Sequence, residues 1–265
     1  MSTNSDNSLV KRLFQAGAHF GFRKSRRHPT VTPYLFTMRE GVDIFDLEKT
    51  AGLLESAKAA VKEAGANGKK VLLVGTKDEI SHLVHTAALE AELPYVINRW
   101  IGGLLTNFAE IKQRLNRLEH LLSEKESGEM ERKYTKKEGV LLNREINKLQ
   151  LNFGGIRGAD KTPDMLVVID PRYESIAVAE AKQLNIPVVA VMSSDCDLGE
   201  VTYPVVVNDS LQASVALVLT ELVDAYKEGA ATYVPKPVAS TGRGGYRGGN
   251  GASRNFRTPA RDASK

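Results

Sequence analysis

The residues of this sequence best suited to chemistry lie in one short run, Asp195, Cys196 and Asp197. Carboxylates two residues apart supply the oxygen ligands that Mg²⁺ prefers. The run follows residues 188–191, an apolar segment that predicts a buried strand, so it would leave the sheet at the edge where open α/β folds bind ligands. An ordinary acidic turn explains the same residues. We favour the turn and expect no bound metal, keeping Asp195 and Asp197 as the candidate ligands.

Cys196 is also the only cysteine, so the chain has neither an internal disulfide nor a thiolate cluster for zinc. A cysteine nucleophile needs a neighbouring histidine, and nothing in the sequence brings one of the histidines to Cys196. His82 and His85 share a face of a predicted helix, but no third metal ligand accompanies them. The cysteine usage and the polar N-terminus, which has no apolar signal core, predict a cytoplasmic protein.

The loops that bind phosphate in nucleotide-dependent enzymes have no counterpart here. The first strand is followed by Gly75-Thr76-Lys77-Asp78, which has one glycine where a dinucleotide site needs three. Gly154-Gly155-Ile156-Arg157-Gly158 is rich in glycine, but it follows a helix instead of joining a strand to a helix. We expect these glycines to end helices and form turns.

Alternating strand and helix patterns would position these residues. Short runs rich in Val and Ile predict strands at 70–74, 95–97, 165–169, 188–191 and 203–207. Helical patterns lie between or after them at 47–64, 78–92, 174–184 and 210–227. The alternation predicts an α/β fold, a three-layer sandwich with a parallel, flavodoxin- or Rossmann-like sheet.

An insertion interrupts this alternation between Phe108 and Phe153. Narrow apolar stripes at three- and four-residue steps predict two helices, separated by a break at Ser127-Gly128. Asn107 and Glu110 have the spacing of a capping box at the start of the first helix. We interpret the insertion as an antiparallel α-helical coiled-coil hairpin with charged outer faces.

The charge of +4 is unevenly distributed along the chain. Residues 1–28 and 239–265 each carry six basic residues and one acidic residue, whereas the predicted α/β body is acidic. The resulting domain prediction is a basic segment at 1–28, an α/β domain at 29–107 and 154–234, the hairpin at 108–153, and a disordered Gly/Arg-rich tail at 235–265. Basic ends favour contact with a polyanion, although basic tails also occur only for solubility.

Several separated motifs occur in a fixed order along the chain. The sequence RWIGGLLTN at 99–107 introduces the predicted hairpin, and AGAHFG lies at 16–21, LEKT at 47–50, VGTK at 74–77 and LNFGGI at 151–156. With Pro163-Asp164, Ile169-Asp170 and Asn185-Ile186-Pro187, these motifs resemble the bacterial type of the small-subunit ribosomal protein S2 family. The resemblance covers about residues 8–230. It implies the same sandwich with an inserted hairpin, no catalytic activity, and a place in the small ribosomal subunit.

The resemblance implies ribosomal RNA and other small-subunit ribosomal proteins as partners, with no membrane and no small-molecule substrate. It implies no cofactor, apart from Mg²⁺ brought by RNA contacts. Backbone-directed RNA binding relies on Lys and Arg at phosphates. Our candidate RNA-binding residues are Arg23, Lys24, Arg26, Arg27, His28, Arg99, Trp100, Lys133, Lys136, Lys137, Arg243 and Arg247. His19 and Trp100 either stack on bases or pack internally, and both alternatives stay open for Trp100.

The sequence departs from the family pattern at three places. Phe22 stands where many members have a second histidine, the acidic and proline pattern around 193–198 is altered, and the tail beyond about Val238 is not part of the common pattern. Two other functions remain: a nucleotide- or sugar-phosphate-binding enzyme on the same sheet, and a protein adaptor whose hairpin and acidic body recruit another ribosomal protein.

Overall fold

A computed structural model describes residues 3–233, and the side chains of residues 9–233. In chain order the elements are α1 (Thr3–Gln15), β1 (Phe20–Arg23), β2 (Leu35–Arg39), β3 (Val42–Phe45), α2 (Leu47–Ala66), β4 (Val71–Val74), α3 (Asp78–Glu90), β5 (Tyr95–Val96), α4 (Phe108–Glu126), α5 (Glu129–Lys133), α6 (Lys136–Phe153), β6 (Met165–Ile169), α7 (Ser175–Gln183), β7 (Val188–Met192), β8 (Tyr203–Val206) and α8 (Gln212–Ala231).

The five predicted strands form one parallel sheet, in the order β5-β4-β6-β7-β8. Successive residues of β4 enter different cores, because side chains alternate across a strand. Val71 and Leu73 pack with α2, α3 and α8, whereas Leu72 and Val74 pack with α7 and the segment around Trp100. Burial on both faces explains the continuous apolar runs in the sequence. The prediction of a parallel sheet covered by helices is confirmed.

A second, three-stranded antiparallel sheet has the order β1-β3-β2 and precedes α2. The sequence pattern does not predict this sheet. In β2 only Leu35 is partly buried and the four residues after it are exposed, so no regular apolar alternation marks the strand. Asp46 then caps α2, since its side chain accepts a hydrogen bond from the Glu48 N–H at 3.1 Å.

The residues between β5 and β6 form α4, α5 and α6. Leu118 and Leu121 of α4 pack with Met130 and with Ile146 of α6 in a separate apolar cluster. The predicted break is present, because Gly128 adopts φ +71° after α4 ends. The predicted capping box at Asn107 was wrong: its side chain makes no capping hydrogen bond. The capping box instead begins α6, between Thr135 and Glu138.

None of the helices in the described part of the chain is long and apolar enough to cross a membrane.

Candidate nucleic-acid interface

Arg23, the last residue of β1, forms an exposed basic turn with Lys24 and Arg26. None of the three forms an ion pair with the side chains of residues 9–233. The Arg26 guanidinium lies 5.6 Å from the centre of the Phe22 ring, a distance at which a cation and an aromatic face attract each other. Three unpaired cations on one turn can neutralise phosphates at low desolvation cost.

The basic turn is attached to the carboxyl edge of the parallel sheet through the loop after β7. The backbone N–H of Phe22 donates to Ser194 Oγ at 2.9 Å, and the N–H of His28 donates to the Ser194 carbonyl at 2.8 Å. Ser194 is fully buried, so both hydrogen bonds are protected from water. Ser194 could not be predicted from the sequence, because it lies far along the chain from the turn that it holds.

Arg27 and His28 follow the turn but have partners inside the protein. Arg27 Nε donates to Asp43 Oδ2 at 2.8 Å, and Asp43 is fully buried. The hydrogen bond to Asp43 raises the pKa of Arg27, so the guanidinium stays charged. His28 Nδ1 lies 2.8 Å from Thr30 Oγ1 and 3.8 Å from Asp197 Oδ1. Both residues therefore help to hold the turn in place.

Trp100 is buried, with 6% of its surface exposed, and its indole Nε1–H donates to Glu180 at 3.2 Å. The ring is therefore packed in the core, and we do not assign it base stacking. Glu180 also accepts the backbone N–H groups of Gly103 at 2.8 Å and Leu105 at 3.0 Å. Burial raises the pKa of Glu180, but these hydrogen bonds lower it more, so the carboxylate stays ionised.

Arg99 precedes Trp100, is exposed, and makes no ion pair with the described side chains. It follows β5, and the basic turn is tied to the loop after β7. The carboxyl ends of parallel strands share one edge of a sheet, so the two sets of basic residues lie at the same edge. The sequence alone could not bring them together.

Lys133, Lys136 and Lys137 lie at the far end of the helical insertion, around the start of α6. Lys133 pairs with Glu129 and, at 3.4 Å, with Glu124, so its charge is shared internally. Lys136 and Lys137 are exposed and make no ion pair with the described side chains. Arg243 and Arg247 lie outside the described residues.

The acidic candidates, Asp195 and Asp197, bind to different partners. Asp195 accepts from Arg172 at 2.8 Å, whereas Asp197 caps a turn by accepting the Gly199 N–H at 2.9 Å. Within residues 9–233, no three His, Cys, Asp or Glu side chains converge in an arrangement that suits a metal ion. Cys196 between them is buried, and burial raises the pKa of its thiol, so it stays a neutral, unreactive thiol.

Lys77 occupies the carboxyl edge of the sheet where a nucleotide phosphate would bind in a related fold. Its ammonium group pairs with Asp170 and lies 3.7 Å from Asp209 Oδ2. Asp209 is fully buried, and burial raises its pKa to about 6. The carboxylates already neutralise Lys77 and would repel a phosphate, which argues against a nucleotide site here. His82 and His85 form no metal cluster either, and His85 packs edge-on against Tyr95 at 5.0 Å.

Comparison with known proteins gives a consistent match. The family model described as Ribosomal protein S2 matches residues 13–229. The small ribosomal subunit protein uS2 of Petrotoga mobilis is 42% identical over 220 residues, which cover 83% of this chain and 76% of that protein. Proteins of the same name are 40% identical in Geotalea uraniireducens, covering 84% of this chain and 87% of the relative, and 41% identical in Dictyoglomus thermophilum, covering 83% and 89%.

Proposed function

Because the chain belongs to the ribosomal protein S2 family, we propose that it binds ribosomal RNA and neighbouring proteins as a structural constituent of the small ribosomal subunit. The family is structural and not catalytic, so the chain is not an enzyme. Its place of action is the cytoplasm, where the bacterial small subunit works.

The observation that carries the RNA-binding proposal is the rigidly held basic turn. Arg23, Lys24 and Arg26 are exposed and unpaired within the described side chains, while Ser194 and the Arg27–Asp43 pair fix the backbone around them. Preorganised cations lose little conformational entropy when they meet a phosphate backbone. Arg99 extends the same surface along the sheet edge.

The helical insertion forms the second part of the proposed interface. In this proposal α4 and α6 pair as an antiparallel coiled-coil arm that carries Lys133, Lys136 and Lys137 to RNA away from the α/β body. Support comes from the apolar cluster between the helices and from the ion pair between Arg117 and Glu145, 3.2 Å apart. Arg243 and Arg247 supply further phosphate contacts from the Gly/Arg-rich segment. Any Mg²⁺ at this surface belongs to the RNA.

The variant R23A/K24A/R26A tests the proposal. Each phosphate contact contributes about 0.7–0.9 to the slope of log affinity against log salt, so losing three contacts lowers the slope by about 2–3. Binding of purified full-length protein to small-subunit ribosomal RNA, measured between low and moderate salt, gives the slope directly.

The matched control is K69A/K70A/K182A, which removes the same charge from exposed lysines at the opposite, amino edge of the sheet. We expect the control to keep the slope of the unchanged protein. Equal slopes for both variants would show that net charge, and not the basic turn, governs RNA binding.

A further inference from the structure

The outward face of α6 combines aliphatic and basic residues in a single stripe. At 3.6 residues per turn, residues 137, 140, 141, 144, 148 and 151 fall within an arc of about 100°. Val140, Leu141 and Leu151 on this stripe are 53%, 54% and 64% exposed. We call these six residues the α6 outer stripe.

Within the protein, α6 packs through the face opposite this stripe. Ile146 and Phe153 are buried there, and Leu142 and Leu149 are partly buried beside them. A helix that is apolar on two opposite faces normally buries both of them. Val140 and Leu141 lie side by side at one end of the stripe and Leu151 lies at the other, so both ends of this outward face expose aliphatic surface that a partner can cover.

The charges on the outer stripe have a single sign. Lys137, Arg144 and Lys148 are exposed, and none of them pairs with the described side chains. No acidic residue falls within the arc, and Glu145 beside it is engaged by Arg117 of α4. The stripe is therefore complementary to an acidic partner.

A concavity lies at each end of the stripe. A cavity of about 540 Å³ beside Val140 is lined by Met130 and Tyr134, and one of about 330 Å³ beside Leu151 is lined by Tyr95 and Ile97. With a rise of 1.5 Å per residue, Val140 and Leu151 are about 16 Å apart along the axis, which is three turns of a partner helix. A partner helix that spans the stripe would therefore reach both cavities.

Lys137, at the start of α6, belongs to the RNA contact proposed above, whereas the mixture of side chains from Val140 to Leu151 favours protein over RNA as the occupant. RNA contacts use cations for phosphates and aromatic rings for bases, and the stripe contributes no aromatic ring. The aliphatic ends of the stripe and the aliphatic stems of Arg144 and Lys148 between them instead follow steps of three and four residues, which match the seam between packed helices. We propose that the outer stripe binds an acidic amphipathic helix of a neighbouring protein in the small subunit, which packs on the side of α6 that faces away from α4. This inference rests on the proposed membership of the subunit.

Site-specific cross-linking in the assembled particle tests the inference. A photo-reactive benzoylphenylalanine replaces Leu141 or Leu151 in the full chain, cells are irradiated, and small subunits are purified and treated with nuclease. Asn116, exposed on α4, is the control position. We expect both stripe positions to give a protein adduct that survives nuclease, with an acidic segment at the cross-link, and Asn116 to give none.

A charge-reversal variant tests whether the adduct depends on the charges of the outer stripe or only on a protein that happens to lie nearby. With the cross-linker at position 141, R144E/K148E places like charges opposite the partner and lowers the adduct yield by about tenfold or more. The inference would be overturned by adducts with RNA alone, with a second copy of this chain, or with a non-acidic segment. It would also be overturned if the labelled protein sedimented with the small subunit but gave no adduct. Absence of the unmodified protein from the small subunit would instead defeat the proposed function.

Discussion

A single carboxylate, Glu180, holds the loop that links β5 to α4. It accepts hydrogen bonds from the Trp100 side chain and from the backbone of Gly103, Leu105 and Thr106. The sequence alone marked RWIGGLLTN as unusual, but it left Trp100 open between base stacking and packing. The hydrogen-bond acceptor of Trp100 could not be predicted, because Glu180 lies on α7 and its position in the sequence does not indicate which loop it contacts.

Replacing Glu180 with Gln should destabilise the protein. The amide keeps one acceptor oxygen and turns an N–H₂ group toward donors, so buried N–H groups lose their partners at a cost of about 2–3 kcal/mol in the free energy of unfolding. Urea unfolding at pH 7 measures this cost, with E63Q, a change at an exposed glutamate, as the control. An unchanged free energy of unfolding for E180Q would contradict the role given to Glu180.

The same variant has a defined pH dependence. The pKa of Glu180 is lower in the folded protein than its ordinary value of 4.5, so its ionised form stabilises the fold. The difference in the free energy of unfolding between the unchanged protein and E180Q should therefore have its full size at pH values above that ordinary pKa. It should shrink as the pH falls through the lower folded-state pKa. A difference that grew on acidification would have the wrong sign.

At the scale of elements, the crossing of α2 and α8 depends on two glycines that the helical patterns did not single out. A Cβ at Gly229 would lie 2.1 Å from the Lys62 carbonyl oxygen, and one at Gly65 would lie 2.5 Å from the Tyr226 carbonyl oxygen. The backbones of the two helices therefore approach closely. Periodicity predicted the helices and their apolar faces, but close backbone approach depends on the three-dimensional crossing and leaves no periodic mark.

Two glycine-to-alanine substitutions should act in opposite directions. Alanine favours a helix by about 1 kcal/mol over glycine, so G52A in α2, where nothing lies within 4 Å of the added methyl, should stabilise the protein by up to that amount. G229A should instead destabilise it, because the methyl would clash with the Lys62 backbone. Thermal unfolding of the pair checks this, and an equal gain for both variants would refute the close crossing.

Sequence patterns predicted an element correctly where one physical cause determined the residue types along the whole segment. Burial on both faces made the parallel strands visible, and the three- and four-residue steps marked α4 and α6. The antiparallel sheet was missed because β2 is mostly exposed, and the capping box was misplaced because Asn107 has the right spacing but the wrong backbone conformation. Spacing alone does not fix φ and ψ.

At the scale of the whole molecule, uneven charge was the most useful property of the sequence. It indicated an acidic body with basic ends, and the basic turn at residues 23–26 is exposed and tied to the sheet edge. Composition could not show that Arg27 is engaged by Asp43 or that Lys133 is shared by two glutamates. Which cations are free for RNA is a property of the folded pairs, so it requires the structure.

Sedimentation of cell lysate through sucrose gradients at low and high salt tests whether phosphate contacts hold the protein in the small ribosomal subunit. The fractions are probed for the full-length protein and for small-subunit ribosomal RNA. An electrostatically held constituent should migrate with the small subunit at low salt and be released at high salt, because salt competes with the phosphate contacts. Migration only as free protein at both salt concentrations would contradict the account.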